Sequence, residues 1–188
     1  QLAYIAYRRG LCDDELIKLT NDQGLFKDQA RYLVERQDGA LWGSVLIDEN
    51  PFKRNVIDQV VQTALPESKN SEEVSATVKA FMIAELPNEL IELLESSEFS
   101  GNRNLQNLLI LTAIKAAQDR VMDYVMKLDK YEEREIAVLA ISSGLFEEAF
   151  AIYNKFKHHV EAINVVIKNL KNLDRASEYA TQINGKQV

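Results

Sequence analysis

Two adjacent histidines are the residues in this chain that could most readily ligate a metal ion. On a helix, the side chains of His158 and His159 would point about 100° apart. No cysteine or further histidine lies at a ligand spacing that would complete a zinc site. The sequence therefore predicts no metal site.

Clusters of carboxylates are the second set with possible chemistry, because paired carboxyl groups can act as general acid and base. They are Asp13-Asp14-Glu15, Glu72-Glu73, Glu132-Glu133 and Glu147-Glu148. Each cluster falls in the first turn of a predicted helix, where negative charge is favoured by the helix dipole. We interpret all four as helix-start residues.

Nucleophile and phosphate motifs are also missing from the sequence. The single cysteine, Cys12, has no base near it in sequence, and no Gly-x-Ser-x-Gly elbow occurs. The segment 184–186 (Asn-Gly-Lys) lacks the upstream glycine of a P-loop. We therefore expect no catalytic residue, no bound cofactor and no enzymatic activity.

A lone cysteine without any Asn-x-Ser/Thr acceptor favours a reducing, cytoplasmic setting.

The charge distribution bears on possible partners. The 188 residues carry a formal charge of −7, and the 22 basic residues are scattered singly or in pairs. A nucleic-acid partner would need a basic face, so none is expected.

No apolar run approaches the ~20 residues of a membrane helix, and no membrane insertion is expected. Trp42 could anchor a partner, but its apolar neighbours Leu41 and Val45 favour a core position.

The elements that would position these side chains are predicted to be helices throughout. About a dozen helices of roughly 8 to 18 residues are expected from the three-to-four spacing of apolar residues. Start signals are Asn50 before Pro51, Asn70 three before Glu73, Asp129 three before Glu132, and Pro87. Breaks between helices are expected near Gly10, Gly24, Gly39, Pro51, Pro66 to Asn70, Pro87, Ser96 to Gly101, Lys130, Gly144, Lys157 and Asn172.

A repeated phrase indicates how the helices are organised. Gly24-Leu25-Phe26 opens a helical pattern ending near Asp38, and Gly144-Leu145-Phe146 opens another ending near Lys157, 120 residues later. The repeat suggests one helix-turn-helix unit copied along the chain, although coincidence is the alternative. We expect the Leu-Phe pairs to seat a helix against the preceding unit.

The stretch 104–117 is apolar on most faces and is predicted to be an inner helix. Leu109 and Ile110 are expected in its core. The small residues Ala113, Ala116 and Ala117 are expected to allow close approach of the next helix.

Longer phrases carry a resemblance to a known family. The segments are 41–46, 57–64, 86–94, 104–116, 145–152 and 172–176. They closely resemble the clathrin heavy chain family, and the similarity extends over essentially the whole chain. The resemblance implies an all-α fold, a right-handed superhelical α-solenoid of stacked short antiparallel helix pairs. Residues 1–188 would form one continuous array, about one clathrin heavy chain repeat plus parts of its neighbours, from the middle of the leg.

The family resemblance also implies a structural function. The chain would be a leg segment of a scaffold that self-assembles into the polyhedral coat of coated pits and vesicles, in endocytosis and intracellular protein transport. Its partners would be other heavy chain legs, with light chains and adaptors bound through regions outside the segment. The full-length protein would be a homotrimer on the cytosolic face of the membrane.

One stretch departs from the family pattern. The family has a longer connection after its Leu-Leu-Glu, so residues are predicted to be missing or deleted between Glu95 and Ser96. Two other functions stay open on the sequence alone: a clathrin-type repeat of a vacuolar tethering complex subunit, and an unrecognised helical enzyme.

Overall fold

The computed structural model describes residues 2–68, 70–96 and 102–185, and within these ranges it contains helices and turns but no strand. The chain divides into two compact units, Gln1–Glu98 and Phe99–Val188. The helices of the first unit are α1 (Leu2–Gly10), α2 (Asp13–Gln23), α3 (Phe26–Arg36), α4 (Gly39–Leu46), α5 (Lys53–Gln59), α6 (Leu65–Glu67), α7 (Ser71–Ile83) and α8 (Pro87–Ser96). Those of the second are α9 (Arg103–Ala116), α10 (Val121–Lys127), α11 (Glu133–Ser142), α12 (Phe146–Lys155), α13 (His159–Lys168) and α14 (Leu173–Gly185).

Within each unit the helices pack mainly against helices that are near them in sequence. In the first unit, α3 contacts α2, α5 and α7, and α7 also contacts α4 and α8. In the second, α12 contacts α10, α11 and α13, and α13 contacts α14. This neighbour-to-neighbour packing is the construction of an α-solenoid, so the predicted fold class is confirmed in both units. A single array over 1–188 and its superhelical hand stay predictions.

Amphipathic helix faces supply the core of each unit. In the first unit Trp42 of α4 packs edge-on against Phe81 of α7, with ring centroids 6.0 Å apart. Both rings are at most 1% exposed, which confirms the core position predicted for Trp42. In the second unit Tyr131 and Phe156 make a similar edge-on contact at 5.2 Å.

Several predicted helix starts are confirmed and two are wrong. Asn70 caps α7 by accepting a 2.9 Å hydrogen bond from the Glu72 N–H, and α8 begins at Pro87. Asn50 instead accepts from the Phe52 N–H in a turn, and α5 begins later, at Lys53.

Asp129 does not cap α11, because the residue before that helix is Glu132. The physical reason is that backbone N–H groups of residues 130 and 132 are held by amide side chains of α9, which fixes where the chain can turn.

The break predicted over Pro66 to Asn70 is confirmed, but it falls after the proline, because α6 ends at Glu67 and α7 begins at Ser71. A π-helical turn, Val60–Ala64, joins α5 to α6, and α6 continues through Pro66 to Glu67. A proline inside a helix removes a hydrogen bond and collides with the carbonyl four residues earlier. The π-helical turn is wider than an α-helical turn, and it contains the residue four before Pro66, so it relieves that collision. It is closed by a hydrogen bond from the Leu65 N–H to the Val60 carbonyl.

The inner helix predicted at 104–117 is observed as α9. Leu109 is 6% exposed and Ile110 is fully buried. Of the three small residues, Ala113 is buried, but Ala116 is exposed and Ala117 follows the end of the helix. Close approach through Ala116 and Ala117 was therefore a wrong expectation, because Ala116 is exposed in the last turn of α9 and Ala117 lies beyond the helix.

We expect Leu109→Asp to destabilise the second unit by roughly 3–5 kcal/mol, because it leaves a buried charge without a partner. Thermal unfolding followed by circular dichroism measures this as a large fall in Tm. Val138→Asp on α11 is the matched control, because Val138 is 60% exposed. Equal Tm values for the Leu109→Asp variant and the unmodified chain would contradict the assigned core.

Candidate functional site: the joints between helices

The two Gly-Leu-Phe phrases form the same backbone structure. Gly24 and Gly144 have left-handed φ angles of +64° and +80°. The Leu25 and Leu145 N–H groups each donate to the carbonyl five residues earlier at 2.8 Å, and both glycine N–H groups donate three residues back. This pair of bonds is a Schellman motif, which satisfies the last carbonyls of the preceding helix.

The leucine of each phrase also starts the next helix. Its carbonyl accepts the first helical hydrogen bond, from Gln29 at 3.0 Å and from Ala149 at 3.1 Å. We call this two-residue link, the left-handed residue and the residue after it, a joint. Because a joint contains only two residues, the helices on either side must turn back on each other.

The same joint recurs at three places where the left-handed residue is not glycine. In each, the hydrogen bonds have the same spacing and the first residue has a left-handed φ. The pairs are Leu11-Cys12 (φ +53°), Glu85-Leu86 (φ +53°) and Lys157-His158 (φ +61°). Sequence reasoning predicted helix breaks near Gly10, Pro87 and Lys157 but did not identify them as the same turn, because its signal for that turn was the glycine. The repeated element is thus confirmed as a shared turn construction.

The aromatic residue of the first phrase makes a contact that the prediction did not anticipate. Phe26 packs against Phe52 with ring centroids 5.7 Å apart. Phe52 lies later in the chain, just before α5, so this ring contact is to a following element rather than to the preceding unit. Leu25, Leu145 and Phe146 are all partly buried beside their joints.

The acidic clusters lie at helix starts, as predicted, and some of their members also form ion pairs with other helices. At the start of α2, Asp13 accepts from the Arg36 Nη2 at 2.9 Å and from the Tyr32 hydroxyl. The Arg36 guanidinium holds the pKa of Asp13 below its ordinary value, and burial together with this carboxylate raises the pKa of Tyr32 to about 12.

Further ion pairs connect helices within each unit. In the first unit they join Arg8 to Glu35, Arg31 to Glu67, and Arg54 to Glu89 and Glu92; in the second, Arg103 to Glu132 and Arg175 to Glu147. All are substantially solvated, so each contributes at most about 1 kcal/mol. These ion pairs favour one alignment of neighbouring helices and contribute little to the stability of the fold.

Lys155 makes a stronger link at the end of α10. Its ammonium donates to the carbonyls of Val125 and Met126, at 2.9 Å each, and to that of Leu128. Burial lowers the pKa of Lys155. A cation at a helix C-terminus satisfies carbonyls that have no partner in the helix itself.

The adjacent histidines lie at a joint and have different partners. His158 Nε2 is 3.3 Å from Glu133 Oε1, whereas His159 Nδ1 is 2.8 Å from the Tyr179 hydroxyl. A hydrogen bond from its own backbone N–H, with a further contribution from His158, lowers the pKa of Glu133. The two rings therefore connect α12 and α13 to neighbouring helices. In the described ranges, no three metal-ligating side chains come together.

Two amides of α9 are structural residues that sequence reasoning did not single out. Gln106, 4% exposed, accepts from the Lys130 N–H at 2.8 Å, and Asn107 accepts from the Glu132 N–H at 2.7 Å. Together they hold the turn before α11. The available signal was two adjacent amides in an otherwise apolar helix.

Cys12, weighed as a nucleophile, is the second residue of the first joint and is partly buried with a free thiol. The segment 184–186, considered as a phosphate-binding loop, includes residue 186, which lies outside the described residues.

In the part of the chain that is described, no helix combines the length and apolar character needed to cross a bilayer.

Comparison with known proteins gives the family of the chain. Residues 65–188 match the family model described as "Region in Clathrin and VPS". The chain is 59% identical over 187 residues to clathrin heavy chain 2 of Oryza sativa subsp. japonica, covering 97% of this chain. The chain belongs to the clathrin heavy chain family. Identity is 57% over 192 residues, covering 100% of this chain, both to the clathrin heavy chain of Dictyostelium discoideum and to clathrin heavy chain 2 of Homo sapiens.

The match to clathrin heavy chains covers only part of their length. This chain spans about 11% of the Oryza and Dictyostelium proteins and 12% of the human one. The alignment with the Dictyostelium clathrin heavy chain has 192 positions for a chain of 188 residues, so that relative has residues without a counterpart here. Glu95 and Ser96 lie at the end of α8, beside residues outside the described ranges, and the deletion proposed between them stays a prediction.

We expect Gly144→Ala to lower the free energy of unfolding by about 1 kcal/mol or more, because alanine is disfavoured at a φ of +80°. Urea unfolding measures the change. Gly43→Ala in α4 is the matched control: a Cβ there meets nothing within 4 Å, so it should be neutral or stabilising by up to about 1 kcal/mol. Equal losses in both variants would contradict the joint.

We expect Lys155→Met to cost about 2 kcal/mol, because it removes a charged donor from three carbonyls. Lys130→Met is the control, since the Lys130 side chain is exposed and only its backbone N–H is bonded. Hydrogen exchange of α10 amides should rise in the first variant and stay unchanged in the second. Unchanged exchange in both would show that the ammonium does not stabilise this helix end.

Proposed function

We propose that this chain is a structural leg segment of a clathrin heavy chain, part of a scaffold that self-assembles into a polyhedral coat. The observation that carries the proposal is 57–59% identity over at least 97% of the chain to clathrin heavy chains. The helical units are consistent with it, because neighbour-packed helices present extended surface rather than a central cavity.

The joints give this segment a mechanical role. Each two-residue joint limits the angle between its two helices, and ion pairs such as Arg175 with Glu147 resist their sliding. Bending a stack of this kind costs contact area at each helix pair. Many weak contacts between stiff legs can then sum to a coat that is stable and still reversible.

Partners and location follow the same proposal. Other heavy chain legs would contact this segment in the lattice, whereas light chains and adaptors would bind regions of the heavy chain outside it. The full-length protein would be a homotrimer in the cytoplasm, acting at coated pits and coated vesicles in endocytosis and intracellular transport. The segment itself would have no enzymatic activity and no cofactor.

A vacuolar tethering subunit is the less supported alternative. The description of the matching family model includes both clathrin and VPS proteins. The relatives described above are clathrin heavy chains, and their identity to this chain is high.

An enzyme would need convergent reactive groups in a concave site. The second unit has an open concavity of about 710 Å³ lined by His159, Arg175 and Tyr179, among others. Arg175 is paired with Glu147, and the Tyr179 hydroxyl donates to Asn154 while contacting His159. These groups satisfy one another, and His158 does not line the concavity.

Cage assembly of the purified full-length heavy chain tests the proposal. A combined variant reverses five exposed charges that form no ion pair among the described residues: Glu15→Lys, Asp22→Lys, Glu135→Lys, Lys168→Glu and Glu178→Lys. Surface changes of this kind alter stability little, about 0.5 kcal/mol each. Because Glu15, Glu135 and Lys168 lie in the first or last turn of their helices, the combined variant should lose about 2–3 kcal/mol of unfolding free energy but stay folded. We expect a several-fold higher critical concentration for cages, measured by light scattering and electron microscopy.

The matched control replaces the same five residues with glutamine, which removes the charges without reversing them and should have a smaller effect on assembly. Cages that form normally in the charge-reversed variant would contradict a role for these faces in leg contacts. A purified heavy chain that forms no cages before any substitution would contradict the scaffold function itself.

A further inference from the structure

The two units of the chain differ in charge. Residues 1–98 contain 18 acidic and 10 basic residues, a formal charge of −8, whereas residues 99–188 contain 11 acidic and 12 basic residues, a formal charge of +1. All of the excess negative charge is therefore carried by the first unit. Between two copies of the chain, two first units repel each other, whereas a first unit and a second unit do not.

The second unit also contains a local cluster of lysines. We call the cluster the basic patch, and it consists of Lys127, Lys130, Lys155 and Lys157. The Lys155 ammonium donates to the carbonyls of Met126, at 2.9 Å, and Leu128, the residues on either side of Lys127. Lys130 follows in the same turn, and Lys157 is two residues beyond Lys155. The hydrogen bonds of Lys155 thus bring the four lysines to one place on the surface.

Few acidic groups offset the basic patch. Its three other lysines are exposed and form no ion pair among the described residues. Asp129 lies within the patch and interacts electrostatically with Lys155, so four cations share one carboxylate there. The carboxylates that follow, Glu132 and Glu133, already have partners of their own. The patch therefore keeps an excess of positive charge.

Unpaired acidic residues of the first unit are concentrated on α2. Among the described residues of this unit, the acidic side chains that are exposed and form no ion pair are Asp14, Glu15, Asp22, Glu49, Glu72 and Glu85. Three of these six belong to α2. Glu15 and Asp22 are seven residues apart and so lie on the same side of the helix. Lys18 is the single basic residue of α2, so the exposed face of this helix keeps an excess of negative charge.

A second copy of the chain is the partner that this charge pattern favours. Nucleic acid and anionic membrane surfaces would be attracted by the basic patch but repelled by the first unit of the same chain. A contact between two different surfaces of identical subunits is heterologous, and it can be repeated from copy to copy as an extended coat requires. Exposed ion pairs are individually weak, which suits a contact that must be reversible.

We propose that the basic patch of one heavy chain contacts the acidic face of α2 in the first unit of a second heavy chain. This inference rests on the proposed coat function and names the surfaces through which two legs meet. Lysine ammonium groups face carboxylates across a solvated interface, so the contact weakens as salt is added.

Cage assembly of the purified full-length heavy chain tests the contact by charge reversal on each side. Lys130→Glu with Lys157→Glu reverses two exposed residues of the patch that lie outside the helices, and it leaves Lys155 in place. Glu15→Lys with Asp22→Lys reverses the face of α2. Each double variant should raise the critical concentration for cages at least about threefold, and the difference should shrink as salt is added.

The combination of all four substitutions separates a specific contact from a general effect of charge. It restores opposite charges across the interface, so the critical concentration should return to within about twofold of that of the unmodified chain. The matched control is Lys115→Glu with Lys171→Glu, which reverses two exposed lysines of the second unit outside the patch. Combined with the α2 substitutions, this control restores the net charge but should not restore assembly.

Photo-crosslinking locates the contact without changing the acidic side of the interface. p-Benzoylphenylalanine is placed at position 130, and cages are assembled from a mixture of unlabelled and nitrogen-15-labelled heavy chains. We expect cross-linked peptides of mixed label, in which position 130 of one chain is joined to the α2 segment Asp13–Gln23 of another. This measurement tests the contact even if a charge-reversed variant fails to fold.

Two outcomes would overturn the contact and leave the scaffold function intact. In the first, cages form but neither double variant changes the critical concentration, or the fourfold variant assembles no better than the double variants. In the second, the mixed-label cross-links from position 130 join a segment other than α2. A heavy chain that forms no cages before any substitution would overturn the coat function and this contact together.

Discussion

The structure depends on how a helix ends and the next begins within two or three residues. The last carbonyls of one helix and the first N–H groups of the next must all be satisfied there. A left-handed residue followed by a residue that accepts the first bond of the next helix meets both demands, at Gly24-Leu25 and Gly144-Leu145 and also without glycine. Because the link is so short, consecutive helices lie side by side and bury their apolar faces on each other. Neighbour packing is thus a consequence of the joint.

The polar residues reinforce these joints rather than forming a reactive centre. Lys155 satisfies the end of α10, Gln106 and Asn107 hold the turn before α11, and Arg36 holds Asp13 at the start of α2. Each of these bonds spans more than 20 residues of sequence, so each fixes one helix relative to another. Both histidines, and three of the clustered carboxylates, Asp13, Glu133 and Glu147, are occupied in this way. A rigid surface suits a scaffold.

Much of the fold could be predicted from the sequence, for physical reasons that act locally. Apolar spacing gave α9 and the burial of Leu109, and acidic clusters marked helix starts because the helix dipole acts within a single turn. Asp129 misled the prediction, since amides from α9 fix the turn that follows it. The break predicted over Pro66 to Asn70 begins only after the proline, since a π-helical turn lets the helix continue past it. Both outcomes depend on groups that single-residue preferences do not include.

The sequence by itself determined the all-α class, the family and the glycine joints. Each depends only on residues that are near one another in the chain: the helical period of apolar residues, the long segments of literal similarity, and a glycine where the φ must be left-handed. Only the tertiary structure decided the left-handed turns at Leu11, Glu85 and Lys157 and the partners of His158 and His159. Those features depend on which side chains meet across helices. At these three joints the left-handed φ is imposed by the surrounding structure, because the residue type does not favour it. Trp42 shows the difference clearly: its neighbours in sequence indicate burial, but only its surroundings in space leave its N–H unpaired.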